Sequence, residues 1–249
     1  MKQFIKMTFA AASLLIAAGA SAATIDLTGT LRDMSTAHPD FEAWCCGSET
    51  GLVKNTLGVD GTPVFDGGAA LTNAANFSDW YSTGANHLGE QSLTLTLDNT
   101  LTANPNVYSY SSNSFFPLDG QLGGNQGYSH NYHFTFRMNS EFTYQGGETF
   151  SFTGDDDVWV FINNQLVIDL GGVHGPLSQT VDLDTLGLTL GNNYSFSLFF
   201  AERHTVGSNF RIDTSVKLKN TSTVPEPSSL LLLGLGLLGL GAARRKVKA

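Results

Sequence analysis

The sequence predicts an all-β protein, an antiparallel β-sandwich with long loops, and three observations carry the prediction. From Asn131 onward apolar and polar residues alternate with a period of two, as in Tyr132, Phe134, Phe136 and Met138 against His133, Thr135 and Arg137. The run VWVFI (Val158 to Ile162) is apolar on both faces and is followed by Asn163-Asn164 and QLVIDL, the pattern of a central covered strand entering a two-residue hairpin. No stretch between the two ends of the chain sustains a helical period, so the apolar faces have to be buried sheet against sheet.

Taken in order, the segment from Thr24 to about Gly127 is rich in Gly, Asn, Ser and Thr. SLTLTL (Ser92 to Leu97) is its clear strand, and Asp60-Gly61, Asp66-Gly67-Gly68 and Asp119-Gly120 mark turns, so it reads as the first strands and long loops of the same domain. Beyond it, Phe150 and Phe152, then Tyr194, Phe196, Leu198 and Phe200, then Phe210, Ile212, Val216 and Leu218 repeat the half-buried alternation. Gly171-Gly172 and Gly175-Pro176 close the hairpin and open a loop carrying His174.

Both ends read as address labels. Lys2 and Lys6, the apolar run from Met7 to Ala18 and Ala20-Ser21-Ala22 have the form of a secretory signal peptide over residues 1–22, with Ala23 as the expected mature start. Residues 224–249 set Pro225-Glu226-Pro227 before an apolar stretch, Leu230 to Ala243, and a basic tail of Arg244, Arg245, Lys246 and Lys248. The stretch is short of the ~20 residues of a comfortable membrane span, and the trailing cations fit a segment held with its end in the cytoplasm. This combination resembles the PEP-CTERM sorting signal of exopolysaccharide-producing Gram-negative bacteria. The resemblance implies transient membrane contact through that helix, processing by an exosortase near the Pro-Glu-Pro, and release to the cell surface or extracellular matrix.

The 7 Lys+Arg between residues 23 and 224 face 21 Asp+Glu. So acidic a chain is no nucleic-acid binder and suits a cation-binding extracellular protein. Its two cysteines, Cys45 and Cys46, are adjacent and cannot staple a long loop, so the fold has to stand on its core. Residues 23–223 are long enough for one sizeable sandwich domain.

The densest chemistry is Asp155-Asp156-Asp157, placed directly before VWVFI. Three adjacent carboxylates at the start of a buried strand repel one another and call for a cation. Because an extended chain sends neighbouring side chains to opposite faces, Asp155 and Asp156 can share a ligand only if the backbone bends or the peptide between them is unusual. Calcium suits such a cluster, since it accepts 6–8 oxygen ligands in a flexible shell; a turn with solvated carboxylates is the alternative. His130 and His133, three apart on a strand, face opposite ways and hold no common metal. Trp159 reads first as core and second as a ring for a sugar to lie against.

Long motifs here resemble the fibro-slime domain: RDMSTAHPDFE (Arg32 to Glu42), FFPLDG (Phe115 to Gly120), HNYHFTF (His130 to Phe136), FTYQGGETFSFTGDDDVWVFINNQLVIDLGGVHG (Phe142 to Gly175) and FFAERHTVGSNFRIDTS (Phe199 to Ser215). That domain resembles in turn the protective-antigen fourteen-kilodalton β-sandwich, whose flocculin-type members hold a sugar through calcium. The resemblance implies calcium as cofactor on Asp155 and Asp156, with Asp157 in a position the family gives to Gly. Glu202 and Asn209 are the best oxygen donors of the second loop, AERHTVGSN, and His174 and His204 are loop residues able to hydrogen-bond a ligand. The expected function is a calcium-dependent carbohydrate-binding or adhesion module of a biofilm polysaccharide matrix. A structural matrix protein with a purely stabilising calcium is the alternative, and a glycoside hydrolase, which needs two carboxylates about 5–10 Å apart, comes last. The chain has no G-x-S-x-G, no H-E-x-x-H and no phosphate-binding glycine loop.

Overall fold

The computed structural model describes residues 22–42 and 47–220. The expected signal peptide up to Ser21, Cys45 and Cys46, and the segment with Pro225, Glu226 and Pro227 lie outside the described residues. The elements are β1 (Thr24–Met34), β2 (Gly47–Ser48), α1 (Ala74–Ser78), β3 (His87–Asp98), β4 (Tyr108–Ser112), β5 (Phe134–Thr143), β6 (Thr149–Gly154), β7 (Asp157–Ile162), β8 (Gln165–Leu170), β9 (Gly172–Val173), β10 (Leu177–Asp182), β11 (Asn193–Glu202), β12 (Phe210–Thr214) and β13 (Lys219–Asn220). Among the described residues no helix is long and apolar enough to cross a membrane.

The main sheet runs β10-β6-β12-β4-β3-β1-β5-β11-β7-β8, with β13 against β5 and a separate β2-β9 pair. Every pairing is antiparallel. β3 and β4 are joined only through Asp98 and Ser109, and at this thin seam the sheet folds into two facing layers. Rings cross the interior between them, Phe150 to Phe196 at 4.9 Å and Phe152 to Phe200 at 6.3 Å between centroids. Such pairs add about 0.5–1.5 kcal/mol each beyond their buried area. The core is tight enough that β1 needs Gly29, where a Cβ would stand 2.5 Å from the Phe136 ring.

The strand alternation predicted from the sequence is present, and so is the hairpin. Asn163 and Asn164 take φ of 51° and 64°, the left-handed pair of a tight two-residue turn between β7 and β8. The irregular segment does more than supply loops. Phe41, Leu52, Phe77, Trp80 and Tyr81 cover the outer face of β5, β11 and β7 and make a second core with Trp159, Phe161 and Phe199. This is why VWVFI is apolar throughout: Val158, Val160 and Ile162 enter the first core, Trp159 and Phe161 the second. It also corrects the half-buried reading of β5, whose Thr135 is buried, its hydroxyl donating to the Trp80 carbonyl at 2.6 Å.

Candidate cation and ligand site

Two crossovers between the layers meet at one end of the sandwich. β6 belongs to one layer and β7 to the other, and Asp155-Asp156 alone carry the chain across. Asp156 turns the corner with φ of 50°, a conformation that Asp and Asn tolerate better than most residues. The bend brings both carboxylates to one place, answering how neighbours on an extended chain can share a ligand. Residues 203–209 carry β11 back to β12 beside it. The two crossovers lock together, because Asn209 donates its N–H to Asp155 Oδ1 at 3.0 Å and its side-chain Nδ2 to Asp155 Oδ2 at 2.8 Å. Gly154 lets them approach, since a Cβ there would stand 2.6 Å from the Asn209 carbonyl oxygen.

Between the crossovers and the His174 loop opens a cleft of about 740 Å³. Asp155, Asp156, Glu202, His174, His204 and Asn209 all line it, so six of the predicted site residues come together. Asp156 Oδ2 accepts the Arg203 and His204 backbone N–H groups at 2.6 and 3.2 Å. Glu202, the last residue of β11, is buried, and its carboxylate stands against the Ser208 side chain and the Asp156 carboxylate with no cationic partner among the described residues. Burial pushes its carboxyl well above the ordinary range, and the charge of Asp156 adds to the rise. Burial likewise raises Asp156 to about 6 and Asp155 in the same direction. At the rim Val206 is 91% exposed with φ of 149°, strained for a β-branched residue, as backbone at ligand-gripping loops tends to be.

Two predicted residues are elsewhere. Asp157 turns away from the cleft into the interior, where Oδ2 accepts from Arg203 Nε at 2.5 Å and Oδ1 from the Gly172 N–H at 2.7 Å. Trp159 is 0% exposed in the second core and donates its Nε1–H to Asp169 Oδ1 at 3.0 Å, so it offers no ring to a sugar.

The residue that sequence reasoning missed is Arg203. Its guanidinium is buried, gives Nη1 to the Asp40 and Ala70 carbonyls at 2.8 and 3.1 Å, and lies 5.0 Å over the Trp80 ring. The cation demanded by the Asp run is thus in part a side chain. A signal for it existed: Arg203 is the only Lys or Arg between Arg137 and Arg211.

The arrangement fits a hard divalent cation by the chemistry of its donors. Three carboxylates line one cleft, and that of Glu202 is buried against that of Asp156, whose charge raises it. It is not a finished cage: among the described residues no group of three or more His, Cys, Asp or Glu stands ready to hold a metal. Asp155 is engaged by Asn209, and turning the Asn209 amide would offer its oxygen in place of its NH₂.

The PA14 domain model matches residues 118–229, which include every residue of the cleft named above, and the PEP-CTERM protein-sorting motif matches residues 223–246. Protein psiR of Dictyostelium discoideum is 41% identical over 240 residues, 88% of this chain and 24% of psiR. Protein psiB of the same organism is 45% identical over 188 residues, 67% of this chain and 34% of psiB. The chain therefore spans only about a quarter to a third of these relatives. A solved structure described as the PA14 sugar-binding domain from RTX adhesin aligns with 77% of this chain and 91% of its own, at 11% identity and a TM-score of 0.35. The sorting motif supports export and surface sorting. Residues 118–229 of the chain thus match the PA14 domain, and residues 223–246 the PEP-CTERM protein-sorting motif.

Proposed function

We propose that the chain is a surface-sorted carbohydrate-binding module rather than an enzyme, and that its cleft holds one calcium ion through Asp155, Asp156, Glu202 and Asn209. The observation that carries this reading is Glu202, a buried carboxylate set against the carboxylate of Asp156, with Asp155 on the same cleft and no cationic side chain paired to Glu202 among the described residues. Burying two like charges together without a counter-charge is costly, and a cation removes the cost. A bound calcium would present open coordination positions to neighbouring hydroxyls of an extracellular polysaccharide. His174 and His204 stand at the cleft to hydrogen-bond the same ligand. Each contact is weak, and many copies on a surface supply strength by avidity. Exosortase processing near Pro225-Glu226-Pro227 would deliver the module there.

The test is retention of the purified chain on a glycan array in calcium and then in chelator. Retention in calcium that disappears in chelator is expected; equal retention in both removes calcium from the reading, and none in either removes the sugar. Cleft binding should change little between low and moderate sodium chloride, because hydroxyls bridged by an ion are neutral short-range ligands.

The carboxylate cluster also predicts a pH dependence. Asp156 and Glu202 have folded pKa values above their ordinary ones, so the folded state binds more protons than the unfolded chain. Their contribution is present below the ordinary carboxylate values and is lost as pH rises through about 6 for Asp156. In chelator, the melting temperature of the wild type should rise relative to Glu202→Gln as pH falls from 7.5 to 5. A difference that stays flat over that window would show that the cluster is not strained.

A further inference from the structure

The outer face of β5 and β11 changes character along its length. Near the C-terminal end of β11 it is second core; near the other end it is polar. The register sets Arg137 opposite Phe199, Asn139 opposite Ser197 and Glu141 opposite Ser195, so these side chains share one face. Arg137, Asn139, Glu141, Ser195 and Ser197 line a pocket of about 260 Å³ together with Leu57. Ser197 and Glu202 are five residues apart on one strand, about 16 Å at 3.3 Å per residue, so this pocket is separate from the carboxylate cleft.

Arg137 dominates it. Nη2 donates to the Gly61 carbonyl at 3.0 Å, the guanidinium lies 5.7 Å over the Phe199 ring, and Nε has no acceptor. Among the described residues no carboxylate pairs with Arg137, although the chain is strongly acidic. Burial and the neighbouring Arg32 push its guanidinium below its ordinary value, and the charge of Asp60, which forms no ion pair with it, offsets this in part. Arg32 pairs with the half-exposed Glu90 at 3.3 Å. Ser195 and Ser197 line the same pocket.

We propose that this pocket takes the carboxylate of a single acidic sugar unit, a uronic acid, with Arg137 as the cation and the Ser195 and Ser197 hydroxyls bonding the ring. A guanidinium meets a carboxylate through two parallel hydrogen bonds, a geometry that lysine cannot supply. The volume lies just under the roughly 300 Å³ at which drug-sized pockets begin, which suits one monosaccharide. Glu141 on the same pocket accepts from a sugar hydroxyl and disfavours doubly charged sulfate or phosphate.

The test is an NMR titration of the full chain in chelator, so that the calcium reading and this one fail separately. Sodium glucuronate should shift the Arg137 side-chain and Ser197 amide resonances saturably and bind at least tenfold more tightly than acetate or sulfate, while glucose leaves them unmoved. The affinity should fall several-fold when sodium chloride rises from about 20 to about 200 mM, as the ion pair is screened. Arg137→Gln should lose at least tenfold and Arg137→Lys should recover part of it. Ser195→Ala with Ser197→Ala, which keeps Arg137 and its packing, should lose at least threefold. No saturable shift with glucuronate, equal binding of glucose, acetate or sulfate, or undiminished binding by either the Gln or the double-Ala variant overturns the proposal.

Discussion

Replacing Arg203 with methionine should destabilise the fold by about 3–5 kcal/mol, the cost of removing one partner from a buried ion pair. Arg203 and Asp157 are both fully buried, and among the described residues the Gly172 N–H is the only other donor to the Asp157 carboxylate. The substitution keeps the backbone N–H that binds Asp156 Oδ2, so the loss falls on the side chain. It also removes the contacts to the Asp40 and Ala70 carbonyls, which tie the covering segment of the second core to the β11 crossover. Asp157→Asn should cost a comparable amount, because it leaves the guanidinium buried without its counter-charge. The double variant Asp157→Leu/Arg203→Met should recover much of the loss, since a buried pair gains little over well-packed apolar groups of similar volume. Urea unfolding of the four chains measures this. A single-variant cost below about 1 kcal/mol would mean the pair is reached by water.

The parts of this protein that were legible in its sequence are those where one face of a strand is buried and the other is not. Phe196, Leu198 and Phe200 alternate because the layer across from them is the first core, and Asn163-Asn164 announce a turn because few other residues accept positive φ twice. The second core was not legible. Phe41, Leu52, Phe77 and Trp80 come from loops and a five-residue helix, and no period links residues whose contacts are set by loop path. The carboxylate cleft was legible as a cluster, since Asp155, Asp156 and Asn209, on the two crossovers, and Glu202, at the end of the strand that enters one of them, return to one point. The division of labour within DDD was not. Asp156 and Asp157 differ by one position, yet one faces the cleft and the other the interior, and that is decided by the left-handed corner at Asp156 and by Arg203, which is distant from Asp157 in sequence.

Calcium removal should weaken the domain, and Asp155 and Asp156 should be the residues through which it does so. With the ion gone, Asp155, Asp156 and Glu202 repel one another at the edge of a low-dielectric core, and the left-handed corner loses what stabilises it. Occupancy at a hundred times the dissociation constant stabilises the folded state by ~2.7 kcal/mol through mass action. For a domain of this length that is about 5–10 °C in melting temperature. Chelator should therefore lower the wild-type midpoint by that order. Asp156→Asn and Glu202→Gln each remove a charge from the cluster, so both should melt at or above the chelated wild type and respond little to added calcium. Asp155→Asn should behave likewise but lose more in the absence of the ion, because its carboxylate also accepts both Asn209 donors that lock the crossovers together. Asp157→Asn should keep its calcium response on a lower baseline, since its carboxylate serves Arg203 rather than the cleft. Calorimetric titration of the chelator-stripped, folded wild type provides the decisive number: one calcium per chain is expected, and none would leave the three cleft carboxylates sharing protons instead of an ion.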